Sequence, residues 1–168
     1  MEAPKRKHIR LKNYDYSQNG AYFVTICTAG RREILSEVIP FVGPDAPIGP
    51  HVRLTEIGAV AEKYILRTEM VYSGVKIERY VIMPNHIHIL LQLTGGGPMG
   101  ASGPTIPQIV KGLKGMVTRE LGASVWQRGY YDHIIRDDND FLACWTYIDQ
   151  NPARWAEDEY APVSRAEE

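Results

Sequence analysis

The residues best suited to chemistry are two histidines two positions apart, His86 and His88, within the run MPNHIHILLQL. In a β-strand, residues i and i+2 project from the same face. His86 and His88 would then stand side by side, with Leu90 and Gln92 following on their face. Ile87, Ile89, Leu91 and Leu93 would occupy the other face, which reads as the buried one. Two neutral imidazoles on a rigid strand are the beginning of a divalent-metal site. The rest of the site must come from elsewhere in the chain. Placing the C-terminal stretch DDNDFLACWTYIDQNP at about 100° per residue puts Phe141, Cys144, Trp145 and Ile148 on one packing arc. Tyr147 and Asn151 fall on its flank, one turn apart. Asn151 offers a metal an oxygen ligand, and Tyr147 offers a nucleophilic oxygen to whatever the metal polarises. A tyrosine one turn from a carboxamide is ordinary in itself; a His-x-His strand gives it a chemical reading.

These side chains need elements to hold them. Tyr22–Ile26 is rich in β-formers and follows the Asn19-Gly20 turn signal, so it reads as a first strand. PFVGPDAPIGPH has four prolines and two glycines in twelve residues and reads as a loop. Leu54, Ile57, Val60, Ala61, Tyr64 and Ile65 recur at helical spacing behind Thr55, a capping residue. Val75 to Met83 reads as a second strand, and Met83-Pro84-Asn85 supplies the turn into the histidine strand. TGGGPMGASGP is a linker: it has neither a following Gly-Lys-Ser/Thr nor GxGxxG spacing. Thr105 to Gln108 matches a capping box. A stripe from Ile106 to Leu121 follows, ending near Gly122. YYDHIIR reads as a fourth strand, and the last helix runs from Asp137 or Asp138 to Asn151-Pro152.

The order is therefore β-α-β-β-α-β with one extra helix. This is the α+β, ferredoxin-like (split βαβ) arrangement, an antiparallel sheet with helices on one face. The aliphatic side of the histidine strand should meet those helices. His86 and His88 should lie on the other face, within reach of the C-terminal helix.

At 168 residues the chain suits one domain with a sizeable core. No apolar run approaches the ~18–20 residues that span a bilayer, and the basic N-terminus has no apolar stretch behind it, so a secretory signal is not expected. Cys27 and Cys144 have no CxxC companion and read as reduced thiols in a cytoplasmic protein. The net charge of -1 hides an uneven distribution. Residues 1–16 form a basic arm with Lys5, Arg6, Lys7, Arg10 and Lys12. Lys111, Lys114, Arg119, Arg128 and Arg136 make a second basic group. Residues 157–168 form an acidic tail, leaving 17–156 as the domain. Basic patches of this kind suit a polyanion or plain solvated surface equally.

MPNHIHILL, followed by WQRGYYDHIIRDDNDF and then YIDQNP, resembles the single-tyrosine HUH transposases, and most of all the REP-associated tyrosine transposases. The opening RLKNYDYSQNGAYFVTICT is similar to the start of that family, and the likeness runs from about residue 8 to about residue 158. The resemblance implies a metal held by His86, His88 and Asn151, with Tyr147 as the nucleophile on the C-terminal helix. It implies a protein that cleaves and joins single-stranded DNA at hairpin-forming repeats, through a 5′-phosphotyrosine intermediate and with Mg or Mn as cofactor. Such a protein would be nucleoid-associated when bound to DNA. Monomers and homodimers both occur among relatives. Trp126 and Arg128, together with the basic groups, are the expected DNA-binding residues. Two imidazoles and an amide carry no negative charge, so metal binding should be weak until a DNA phosphate supplies it.

Two other readings stay open. A two-histidine phosphoesterase would need a second H-x-T/S pair, which His8, His51 and His133 do not provide. A ferredoxin-like sheet with aromatics and basic arms is also the build of a non-catalytic single-stranded DNA- or RNA-binding protein. A covalent protein–DNA adduct separates that binder from the enzyme.

Overall fold

The periodicities above translate into structure because each element carries its own start and stop signals. The computed structural model describes residues 19–40, 50–95 and 103–161. The elements are β1 (Gly20–Cys27), β2 (Ser36–Ile39), β3 (His51–Leu54), α1 (Glu56–Val71), β4 (Val75–Ile82), β5 (His86–Leu93), α2 (Ile106–Leu121), β6 (Tyr131–Ile134) and α3 (Asp138–Gln150). Thr55 caps α1 by accepting from the Gly58 N–H. Thr105 and Gln108 form the capping box of α2, and Gly122 ends that helix in the left-handed region at φ 73°, where glycine meets no Cβ penalty. Asp137 caps α3 through the Asp140 N–H.

β4, β5, β1 and β6 form one sheet in that order, and every neighbouring pair is antiparallel. This is the expected ferredoxin-like layout. Ile87, Ile89, Leu91 and Leu93 of β5 join Ala61 and Ile65 of α1 and Ile109, Val110, Leu113 and Val117 of α2 in the main core. Leu90 faces the opposite way, with Val81, Met83 and Ile148, and there Phe141, Cys144 and Trp145 of α3 pack. Strand parity thus assigns the two faces correctly. No helix among the described residues is long and apolar enough to cross a membrane. Cys27 and Cys144 are free thiols.

Two expectations need correcting. Two strands that the sequence did not suggest flank the proline-rich loop and take in its last residue, His51: β2 and β3 pair antiparallel, Val38 opposite Val52, and both valines reach the smaller core. Strands of four residues give too short an alternation to read beside four prolines. The boundary at 156 also falls inside packed structure. Residues 157–161 fold back against the histidine face, and Tyr160 is buried. The remainder of the acidic tail, residues 162–168, lies outside the described residues, as does the whole basic arm with Lys5, Arg6, Lys7, Arg10 and Lys12.

Candidate active site

β5 carries His86 and His88 on the face covered by α3, their rings 4.5 Å apart. Both are fully covered, at 0% and 1% exposed. The covering residues come from beyond α3. The Tyr160 ring lies 4.5 Å from that of His86, and Trp155 lies 5.9 Å away. Phe23 of β1 stacks on His88 at 5.0 Å.

Each imidazole is held by its Nδ1. His86 Nδ1 lies 2.8 Å from Asn85 Oδ1, and His88 Nδ1 lies 2.8 Å from Thr25 Oγ1. Both Nε2 atoms are buried without a hydrogen-bond partner among the described residues. Anchored at one nitrogen and free at the other is how metal-binding histidines are prepared. Burial pushes the His86 pKa down to about 4, against an upward pull from Asp158. Burial, then the neighbouring His86, hold His88 well below the usual histidine range. Both rings are therefore neutral at physiological pH, the form that ligates.

α3 and the residue that caps its C-terminus deliver Tyr147 and Asn151 to the same place. The Tyr147 ring stands edge-on to His88 at 5.2 Å and remains 41% exposed, so it can meet a substrate. Burial and the Asp158 carboxylate raise its pKa. Asn151 is buried. Its Nδ2 donates to Asp158 Oδ2 at 2.8 Å, and its Oδ1 has no partner among the described residues.

Asp158 is the residue the sequence reading missed. Its carboxylate comes within 4.8 Å of a ligand nitrogen on each of His86 and His88. It also accepts from the Tyr160 N–H at 2.8 Å. The group is therefore two imidazoles with a carboxylate, and Asn151 alongside. A cation here meets a negative charge from the protein itself, which changes the expectation of weak binding without DNA. Two buried imidazole nitrogens, the buried amide oxygen of Asn151 and the Asp158 carboxylate are donor types that suit a divalent ion, and together they make a good fit for one. The one signal for this segment was the placing of Trp155 and Tyr160 around acids otherwise read as a solvated tail.

The residues expected to bind DNA divide. Arg128 and Arg136 are exposed. Lys111 and Arg119 are exposed as well, but α2 packs on the other face of the sheet from the histidines. The sheet thus separates them from the site. Lys114 is engaged: its Nζ donates to the carbonyls of Gln127 and Gly129 at 2.6 and 2.9 Å, and burial lowers its pKa. It staples the loop before β6. Trp126 belongs to the main core and is 6% exposed, so its ring is not a surface on which bases can stack. His133 shares its Nε2 between the two carboxylate oxygens of Asp140, at 2.9 Å each, which ties β6 to the start of α3.

No family model matches the chain. An uncharacterized protein of Haemophilus influenzae is 32% identical over 174 residues, covering 92% of this chain and 92% of that protein. A second protein of that organism, assigned as a REP-associated tyrosine transposase, is 32% identical over 88 residues, 44% of this chain and 47% of its own length. Among solved structures, that of a REP-associated tyrosine transposase bound to a REP hairpin superposes with a TM-score of 0.63 at 19% identity. The match covers 89% of this chain and 76% of that one.

Proposed function

We propose that the chain is a REP-associated tyrosine transposase, the name carried by a partial relative and by the structural neighbour, and that it cleaves and rejoins single-stranded DNA through Tyr147. One observation carries the reading. Nε2 of His86, Nε2 of His88 and Oδ1 of Asn151 are all buried, with no hydrogen-bond partner among the described residues, and the tyrosine stands beside them. An unsatisfied buried polar atom costs about 1–3 kcal/mol. Three in one place favour a shared ligand over three separate defects.

His86, His88 and Asp158 would hold a divalent ion, with Asn151 Oδ1 as a further oxygen. Mg or Mn is the proposed identity. Such an ion, when bound, neutralises phosphate charge and acts as a Lewis acid. Tyr147 Oη then attacks the phosphorus of the scissile phosphodiester. A bond forms between phosphorus and Oη, and the bond from phosphorus to the 3′ oxygen breaks. The phenolic proton passes to solvent, and the departing oxygen takes up a proton to become a 3′-hydroxyl. The other fragment stays on the protein as a 5′-phosphotyrosine. Because the phosphodiester is retained, a 3′-hydroxyl can attack it and restore the strand, releasing Tyr147. The rings are buried under Tyr160 and Trp155, so a phosphate reaches them only with that cover displaced. The proposed substrate class is single-stranded DNA at hairpin-forming repeats, a choice supported by the REP hairpin bound to the structural neighbour.

The test is incubation of the chain with Mn2+ or Mg2+ and labelled hairpin-bearing single-stranded DNA, followed by a denaturing gel. A covalent adduct that disappears in Tyr147→Phe supports the enzyme. DNA shifted in a native gel with no adduct on any repeat sequence overturns it in favour of a binding module.

A further inference from the structure

We propose that Asn85 is a positioning residue: it fixes the tautomer of His86, so that the Nε2 lone pair faces the site. This role presupposes His86 as a metal ligand, yet its test needs no DNA.

The amide of Asn85 is 1% exposed, and both of its N–H donors and its oxygen are engaged. Nδ2 donates to the carbonyl of Tyr160 at 2.7 Å and to the carbonyl of Arg31 at 3.3 Å. Carbonyl oxygens only accept, so these two neighbours dictate which end of the amide is the NH2. Turning the amide over would set its oxygen against two other oxygens, and nothing there could donate. Oδ1 must therefore face His86, where it lies 2.8 Å from Nδ1.

The rest follows from valence. An amide oxygen cannot donate, so the proton in this contact belongs to His86 Nδ1. A neutral imidazole carries one N–H. Nε2 is then a bare lone pair, and Nε2 is the atom that lies buried beside Asp158 with no hydrogen-bond partner among the described residues. The backbone of Asn85 is as firmly held as its side chain. Its carbonyl accepts from the Thr28 N–H at 2.9 Å and from Thr28 Oγ1 at 3.1 Å, just past the end of β1.

The two histidines are thus prepared differently. His88 Nδ1 meets a threonine hydroxyl, which can rotate to donate or to accept and leaves either tautomer available. His86 has no such freedom. Asn85 also joins three parts of the chain distant in sequence: the loop after β1, the histidine strand and the segment around Tyr160.

The experiment reads histidine tautomers directly. Long-range 1H–15N correlation spectra are recorded on metal-free, 15N-histidine-labelled protein at neutral pH, and Mn2+ affinity is measured by calorimetry. In the unsubstituted chain His86 should carry its proton on Nδ1. Asn85→Ala should lose that fixed tautomer and bind Mn2+ about 10–100-fold more weakly, the usual effect of removing an outer partner. Asn85→Asp keeps an acceptor for Nδ1–H while losing both donations. It should retain the tautomer and most of the Mn2+ affinity with a lowered melting temperature. Damage to packing alone would not split the two variants in this way. His86 protonated on Nε2 in the unsubstituted chain or in Asn85→Asp overturns the proposal, and so does Asn85→Ala with tautomer and affinity unchanged. If Asn85→Ala does not fold, the other two spectra decide. A chain that shows the tautomer dependence but forms no DNA adduct keeps this proposal and overturns the reading of the protein as a DNA-cleaving enzyme.

Discussion

Thr25 stands directly opposite His88 across the β1–β5 pair, with its Oγ1 2.8 Å from His88 Nδ1. The strand that builds the centre of the sheet therefore also orients a proposed metal ligand. Thr25→Val keeps the shape and removes the oxygen. The expected result is a fall in Mn2+ affinity of about tenfold and a loss of about 1 kcal/mol in stability. Calorimetry and urea denaturation measure the two. Unchanged Mn2+ affinity would remove Thr25 from the site.

Among the described residues, Asp158 supplies the one carboxylate grouped with the two histidines. Asp158→Asn retains the size and deletes the charge. Without DNA, the variant should bind Mn2+ at least about tenfold more weakly, since even outer partners have effects of that size. The phenol of Tyr147 should titrate lower, because the carboxylate that raises its pKa is gone. An apo chain that binds Mn2+ equally well with Asn at 158 would return the site to two histidines and an amide.

Stability should depend on pH through the buried histidines. Their folded pKa values lie below the ordinary 6.5, His86 at about 4. Below 6.5 the unfolded chain takes up protons that the folded chain refuses, so stability falls as pH falls. The effect is fully absent above the unfolded value and levels off below the folded one. For His86 alone the slope is about 1.4 kcal/mol per pH unit inside that window. Denaturation of the metal-free chain between pH ~6.5 and ~5, above the carboxylate range, should show it. A double replacement of His86 and His88 should flatten the dependence. Stability that does not change over that interval in the unsubstituted chain would mean the rings are not neutral and buried.

Gly58 sits in the first turn of α1 under a backbone oxygen. A Cβ there would lie 1.9 Å from the Leu35 carbonyl oxygen, which already accepts from the N–H and hydroxyl of Thr55. Gly58→Ala should destabilise the chain by about 1–3 kcal/mol, as overpacking does. The strain should spread, because the Leu35 N–H donates to the Pro84 carbonyl at 3.0 Å, one residue before Asn85. Thermal denaturation with Mn2+ titration tests both. A melting temperature equal to that of the unsubstituted chain would show that the helix start can shift away.

Much of this protein is written locally. The caps at Thr55, Thr105 and Asp137, the stop at Gly122 and the turn at Pro84-Asn85 each depend on residues a few positions apart. So do the facing of His86 and His88 and the pairing of Tyr147 with Asn151 on α3. Such features survive in sequence as short periods, and they were enough to order the sheet and to bring Tyr147 to a histidine pair. Other features depended on partners distant along the chain. Asn85 meets Tyr160 across 75 residues, and Thr25 meets His88 across 63. Lys114 and Trp126 have the composition of a DNA-binding surface, and only packing turned one into a loop staple and the other into core. Asp158 and Tyr160 looked like a solvated acidic tail until the chain folded back over the site. Charge and residue type say what a side chain can do, while burial and the choice of partner are made by the whole fold.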